Sequence, residues 1–139
     1  MSIHSSALLD KKFIEMLKLL NIYLNHFPNH EKYALCNQIR NTAYDLYDLI
    51  VECQKRYHKK TTLTQLDIKH EQLRLKIRLA HELGYFVFKD GKKIDKLPEI
   101  VALRRLTALQ SLIDELGRMI GGWIVYEKAQ EKGNTLLCV

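Results

Sequence analysis

Chain breakers are scarce in this sequence, with two prolines, Pro28 and Pro98, and six glycines in 139 residues. So few turn-formers exclude an architecture of many short strands joined by tight turns and favour long helices. Long apolar runs are missing too, since no stretch approaches the ~20 residues that span a bilayer. The opening Met1-Ser2-Ile3-His4-Ser5-Ser6 has neither the basic start nor the apolar core of an export signal. The expectation is a cytoplasmic protein with no membrane partner. Cysteines are few and odd in number, Cys36, Cys53 and Cys138, with no CxxC pair. Cys36 and Cys53 fall on the apolar stripe of one predicted helix, 17 residues apart. At ~1.5 Å per residue they cannot bridge within it, so both read as buried, reduced thiols. Cys138 reads as a terminal thiol, second from the end where a prenylation box needs the fourth.

Recognisable reaction chemistry is also absent. The histidines are His4, His26, His30, His58, His70 and His81, and none belongs to an HExxH motif or a Cys/His cluster with metal spacing. His26 and His30 flank a helix break, so they do not share a turn as a ligand pair. His70, on an apolar seam, reads as a satisfied core histidine. Asp45, Asp48, Glu52, Asp67, Asp114 and Glu115 fall off the seams, whereas a di-iron bundle needs carboxylates facing inward. Gly121-Gly122 lies inside a helical pattern without a following Lys-Ser/Thr, so it is no phosphate loop. No catalytic residue, cofactor or metal is expected, and the chain reads as non-enzymatic.

What is present is apolar periodicity and positive charge. Apolar residues make up 47% of the chain, and 22 Lys and Arg oppose 16 Asp and Glu for a net +6. That excess attracts anionic partners, nucleic acid among them, or simply solvates a cationic face. One helix is expected over 7–27 from Leu9, Phe13, Met16, Leu20, Tyr23 and Phe27, ending at Pro28. The second covers 30–58, with Asn29 as its cap, Glu31 in its first turn, and the seam Cys36, Ile39, Ala43, Leu46, Ile50, Cys53, Tyr57. The third opens on a capping box, Thr62 to Gln65, and runs Leu63, Leu66, His70, Leu73, Ile77, Ala80, Gly84. Residues 85–88 read as a last turn or a short extended piece, and 89–96 as a lysine-rich loop. The fourth spans 97–130 on Ala102, Leu106, Leu109, Ile113, Leu116, Ile120 and Trp123, and 131–139 read as a C-terminal tail. Short connections between long amphipathic helices predict an all-α, antiparallel up-down-up-down four-helix bundle in one domain, 1–130. Leu75, Leu79, Leu83, Leu103, Leu112 and Ile124 lie off the seams, a surplus that fits subunit association or a broad monomer core.

Two segments stand out as candidate sites. Lys69, Arg74, Lys76 and Arg78 recur on the third helix as a cationic strip, joined near its start by Lys55, Arg56, Lys59 and Lys60. Anion or RNA binding is the reading preferred over a solvated face. The other is Glu115-Leu116-Gly117-Arg118-Met119-Ile120-Gly121-Gly122-Trp123. Each helical glycine costs ~1 kcal/mol relative to alanine, which fits close backbone approach in the core or across a subunit boundary, with Trp123 as a large anchor.

Phe27-Pro28-Asn29-His30-Glu31-Lys32-Tyr33-Ala34-Leu35 followed by Gln38-Ile39-Arg40 resembles two related bundle families. One is encoded by intervening sequences of bacterial 23S ribosomal RNA genes; the other is the accessory variability determinant of diversity-generating retroelements. Leu73 to Gly84 and Glu115 to Trp123 resemble the second more closely, and the likeness spans about residues 13–126. This resemblance implies a homopentameric ring of basic four-helix bundles, bacterial or phage-encoded. Such a ring binds the retroelement's reverse transcriptase and template RNA and supports mutagenic cDNA synthesis without catalysis of its own. Carried onto this chain, Arg74, Lys76 and Arg78 become candidate phosphate or polymerase contacts. Arg118, Gly121, Gly122 and Trp123 become candidates for packing between helices or subunits. The alternative is the ribosomal intervening-sequence type, with a structural or interaction role.

Overall fold

The computed structural model describes residues 3–92 and 96–137. Four α-helices carry the fold: α1 (Ile3–Leu24), α2 (Leu35–Lys55), α3 (Lys60–Glu82) and α4 (Pro98–Leu137), with a 3₁₀ turn over Asn29–Glu31. Each packs on two neighbours in the cyclic order α1, α2, α3, α4. Side-chain bridges give the directions. Gln54 bonds Ser6 while Arg40 bonds Asn21 and Asn25, so α2 descends along α1. Lys69 meets Asp45 and Lys76 meets Thr42, so α3 climbs back along α2. His70 meets Ile113 and Arg105 meets Phe86, so α4 runs down α3. The result is the expected up-down-up-down four-helix bundle.

Every expected seam position from Cys36 to Cys53, from Leu63 to Ala80 and from Ala102 to Trp123 is buried. Ladders of this kind build a core because three- and four-residue steps keep side chains on one helix face. The seam of α1 closes on Leu24, and Tyr23 is only half-buried beside it. Tyr57 departs furthest from its expected place: α2 has already ended, and the side chain is 93% exposed.

The helix starts differ from expectation. Asn29 heads the 3₁₀ turn without a side-chain cap, Glu31 lies in that turn, and α2 begins later, at Leu35. Thr62 does not cap α3, which starts earlier, at Lys60; Thr62 is buried inside it. Gly84 does mark the end of α3. Its φ of +83° lets Tyr85 N–H reach the Ala80 carbonyl (3.0 Å) and Gly84 N–H reach the His81 carbonyl (2.9 Å), the paired bonds of a Schellman stop. The chain then turns, and Phe86 drops into the core. α4 continues to Leu137, so 131–137 are helical where a tail was expected. Cys36 and Cys53 are buried and free; Cys138 and residues 93–95 of the loop lie outside the described residues. Among the described residues no helix is long and apolar enough to cross a membrane.

Candidate partner-binding surface

The eight candidate cations form two groups. At the end of α2, Lys59 folds back to donate to the carbonyls of Cys53 (2.7 Å) and Arg56 (2.5 Å), satisfying helix-end acceptors at the negative pole. Arg56 pairs with Glu52 one turn back (2.6 Å). Lys55 and Lys60 are exposed, and no ion pair holds either among the described residues.

On α3 the cations do not make one strip. Successive residues advance ~100° around a helix, so Lys76 and Arg78 lie about 160° apart. Lys69 and Lys76 lean toward α2, where Lys69 Nζ is 3.9 Å from Asp45 and Lys76 Nζ donates to Thr42 Oγ1 (2.8 Å). That hydroxyl passes its own hydrogen to the Gln38 carbonyl (2.8 Å). Arg74 and Arg78 lie on the flank nearer α4. Arg74 forks onto Glu71 through Nε (3.0 Å) and Nη2 (2.5 Å). The pair raises the guanidinium's affinity for its proton and lowers the carboxyl of Glu71. Arg78 is exposed. Between the two flanks runs an apolar stripe, Ile68, Leu75 and Leu79, each about half exposed. The outer face of α3 is therefore apolar with cations on both sides. Leu83 and Leu103 are exposed as well, whereas Leu112 and Ile124 are half-buried against the core.

The glycine-rich segment divides three ways. Gly117 serves the core: a Cβ there would stand 2.7 Å from His70 Cε1. His70 Nε2 is 2.8 Å from the Ile113 carbonyl. A carbonyl only accepts, so Nε2 carries the hydrogen. His70 is thus a satisfied core histidine. A Cβ placed on Gly121 or Gly122 would meet nothing within 4 Å, so no contact inside this chain requires their lack of a side chain. Trp123 is 3% exposed and donates Nε1–H to Glu127 (3.3 Å), which makes it a core anchor of its own subunit. Arg118 is exposed and borders an open groove on α4 with Thr107, Gln110, Ser111 and Asp114.

Arg105 is the functional-looking residue that sequence reasoning passed over. It is 8% exposed and donates Nη1–H to the carbonyls of Phe86 (2.8 Å) and Phe88 (3.0 Å). Its Nη2 is 3.4 Å from Asp90, and its guanidinium carbon lies 3.7 Å from the Phe88 ring centroid. The segment after α3 is pinned by this one side chain. The signal was available, because Arg105 stands three residues after Ala102 and four before Leu109, on the apolar seam.

No three His, Cys, Asp or Glu side chains gather as a metal site among the described residues. A family model described as bAvd-like matches residues 7–127. No curated protein and no solved structure matches the chain.

Proposed function

The chain belongs to the bAvd-like family, and we propose that it binds the reverse transcriptase and template RNA of a diversity-generating retroelement. Membership makes it an accessory protein of such an element, without catalysis of its own; the partners are this reading's further step. The observation that carries it is the family match across nearly the whole chain. Supporting it are the net charge of +6 and the exposed cations Lys55, Lys60 and Arg78, which suit a polyanion. Ile68, Leu75, Leu79, Leu83 and Leu103 expose apolar surface that suits association, and we place the chain in a homo-oligomeric ring, a pentamer, in the cytoplasm. Gly121 and Gly122, open within the subunit, suit a backbone approach from a neighbouring one.

The test is cDNA synthesis on a retroelement template by its reverse transcriptase, with and without this protein. Template-dependent cDNA that requires the protein is the expected result. Equal synthesis without it would remove the polymerase role and favour a structural bundle of the ribosomal intervening-sequence type.

A further inference from the structure

One end of the bundle gathers rings and cations that the cationic candidates on α2 and α3 do not include. The C-terminal end of α1, the start of α2 and the segment after α3 meet there, through the Cys36–Leu24, Phe27–Tyr85 and His30–Tyr85 contacts. His26 lies parallel to Phe88, with ring centroids 4.3 Å apart and planes 3° from coplanar. The Arg105 guanidinium carbon is 3.7 Å from the same Phe88 centroid. Two flat groups at those distances do not fit side by side on one ring face, so Phe88 is sandwiched between them. The column therefore runs Arg105, Phe88, His26 from the core outward. Arg105 is buried and held by the Phe86 and Phe88 carbonyls, which fixes Phe88, and Phe88 in turn holds His26 flat. His26 itself is exposed.

A parallel stack that ends in an exposed flat ring offers its outer face to another flat ring. The surroundings select which kind. Lys32, Lys89 and Lys92 are exposed at this end, as is Tyr33, 85% exposed with Lys32 Nζ 5.5 Å from its ring. Nearby, the carboxylate of Asp90 is engaged by Arg105 and by the Lys92 backbone N–H. Rings with a π-face among exposed cations are the combination that binds single-stranded nucleic acid, bases on the rings and phosphates on the cations.

We propose that His26 is a stacking platform for an unpaired base of a single-stranded RNA, with Tyr33 as a second platform and Lys32 and Lys89 meeting the backbone. The site rests on the RNA-binding reading above and gives that reading a location at the bundle end. Closing the bundle explains Phe86, Phe88 and Arg105; it does not require the exposed ring of His26 or the nearly free ring of Tyr33.

The experiment is fluorescence anisotropy of the full chain with two labelled 12-mers at one low salt concentration, oligoadenylate and an abasic ribose-phosphate strand. Base stacking predicts that oligoadenylate binds about 5- to 150-fold more tightly than the abasic strand. His26→Ala should bring oligoadenylate down toward the abasic affinity and leave the abasic strand unchanged, while His26→Phe keeps the difference. Tyr33→Ala, at a side chain that packs on almost nothing, should narrow the difference without touching the fold. Equal binding of the two strands by the native chain would overturn the stacking site and leave electrostatic RNA binding standing. An equal loss for both strands on His26→Ala would overturn it too. Binding of neither strand would remove the RNA-binding reading itself.

Discussion

Gly117→Ala brings a Cβ to 2.7 Å from His70 Cε1 and 2.9 Å from Nε2. Helix propensity alone would make the change favourable by ~1 kcal/mol. Against it stands the position of His70, 8% exposed between α3 and α4 and fixed by its bond to the Ile113 carbonyl. Moving the ring strains packing by about 1–3 kcal/mol, and leaving its buried N–H without a partner costs a further ~1–3 kcal/mol. The clash wins, and a net destabilisation of about 1–5 kcal/mol is expected from these terms. Denaturant unfolding of four proteins tests it: native, Gly117→Ala, His70→Ala and the double variant. With the imidazole gone, Gly117→Ala should change sign and stabilise by up to ~1 kcal/mol. A Gly117→Ala that stabilises the otherwise native chain, or costs the same with and without His70, would refute the packing argument.

Arg105→Ala removes two charge-assisted bonds to the Phe86 and Phe88 carbonyls and the cation over Phe88; a loss of about 2–4 kcal/mol is expected by denaturation, with the earliest amide exchange in 86–92. Lys76→Glu should lower stability by ~1 kcal/mol, because it breaks the Lys76–Thr42 bond and places an acid near Asp45. Arg78→Glu should leave the melting temperature unchanged and weaken RNA binding, and an unchanged affinity would take Arg78 out of the interface. Lys12 holds the Glu115 carboxyl below its ordinary value through a 2.6 Å pair. A depressed carboxyl contributes stability above its unfolded pKa and loses it as pH falls through the folded one. The melting temperature should therefore fall in acid below about pH 4, and less so in Glu115→Gln. Burial pushes the Cys53 thiol up to about 11. The unfolded chain ionises first, at about pH 8.5, so stability should decline from there toward the folded value. In the native protein iodoacetamide should label Cys53 only as fast as the bundle opens.

The bundle was legible because three of its helices keep strict three- and four-residue ladders, and such ladders have one burial solution. Element ends were less so. Thr62 to Gln65 has the composition of a capping box, but Leu63 and Leu66 pull that turn into the core and the helix starts a few residues earlier. Asn29 failed as a cap because Pro28 directs the chain into a separate 3₁₀ turn before α2. Spacing along the sequence suggests one continuous cationic strip, and the rotation of the helix divides it. Lys69 and Lys76 belong to the α2 side, and Arg74 and Arg78 to the other. Arg105 was hidden in plain pattern, an arginine at a seam position whose partners, the carbonyls of Phe86 and Phe88, are backbone groups with no signature in sequence. The His26–Phe88 stack joins residues 62 apart in the chain, and periodicity carries no information about that pairing.

The proposed accessory role is exercised through RNA and a reverse transcriptase. Affinity purification of the tagged full chain tests it, from cells expressing a retroelement's polymerase and template RNA, washed at low and at high salt, with the mass of the native assembly recorded. Recovery of both partners on an oligomer at low salt is expected, with steep loss of the RNA as salt rises. An assembly that recovers neither partner at low salt would contradict the accessory role.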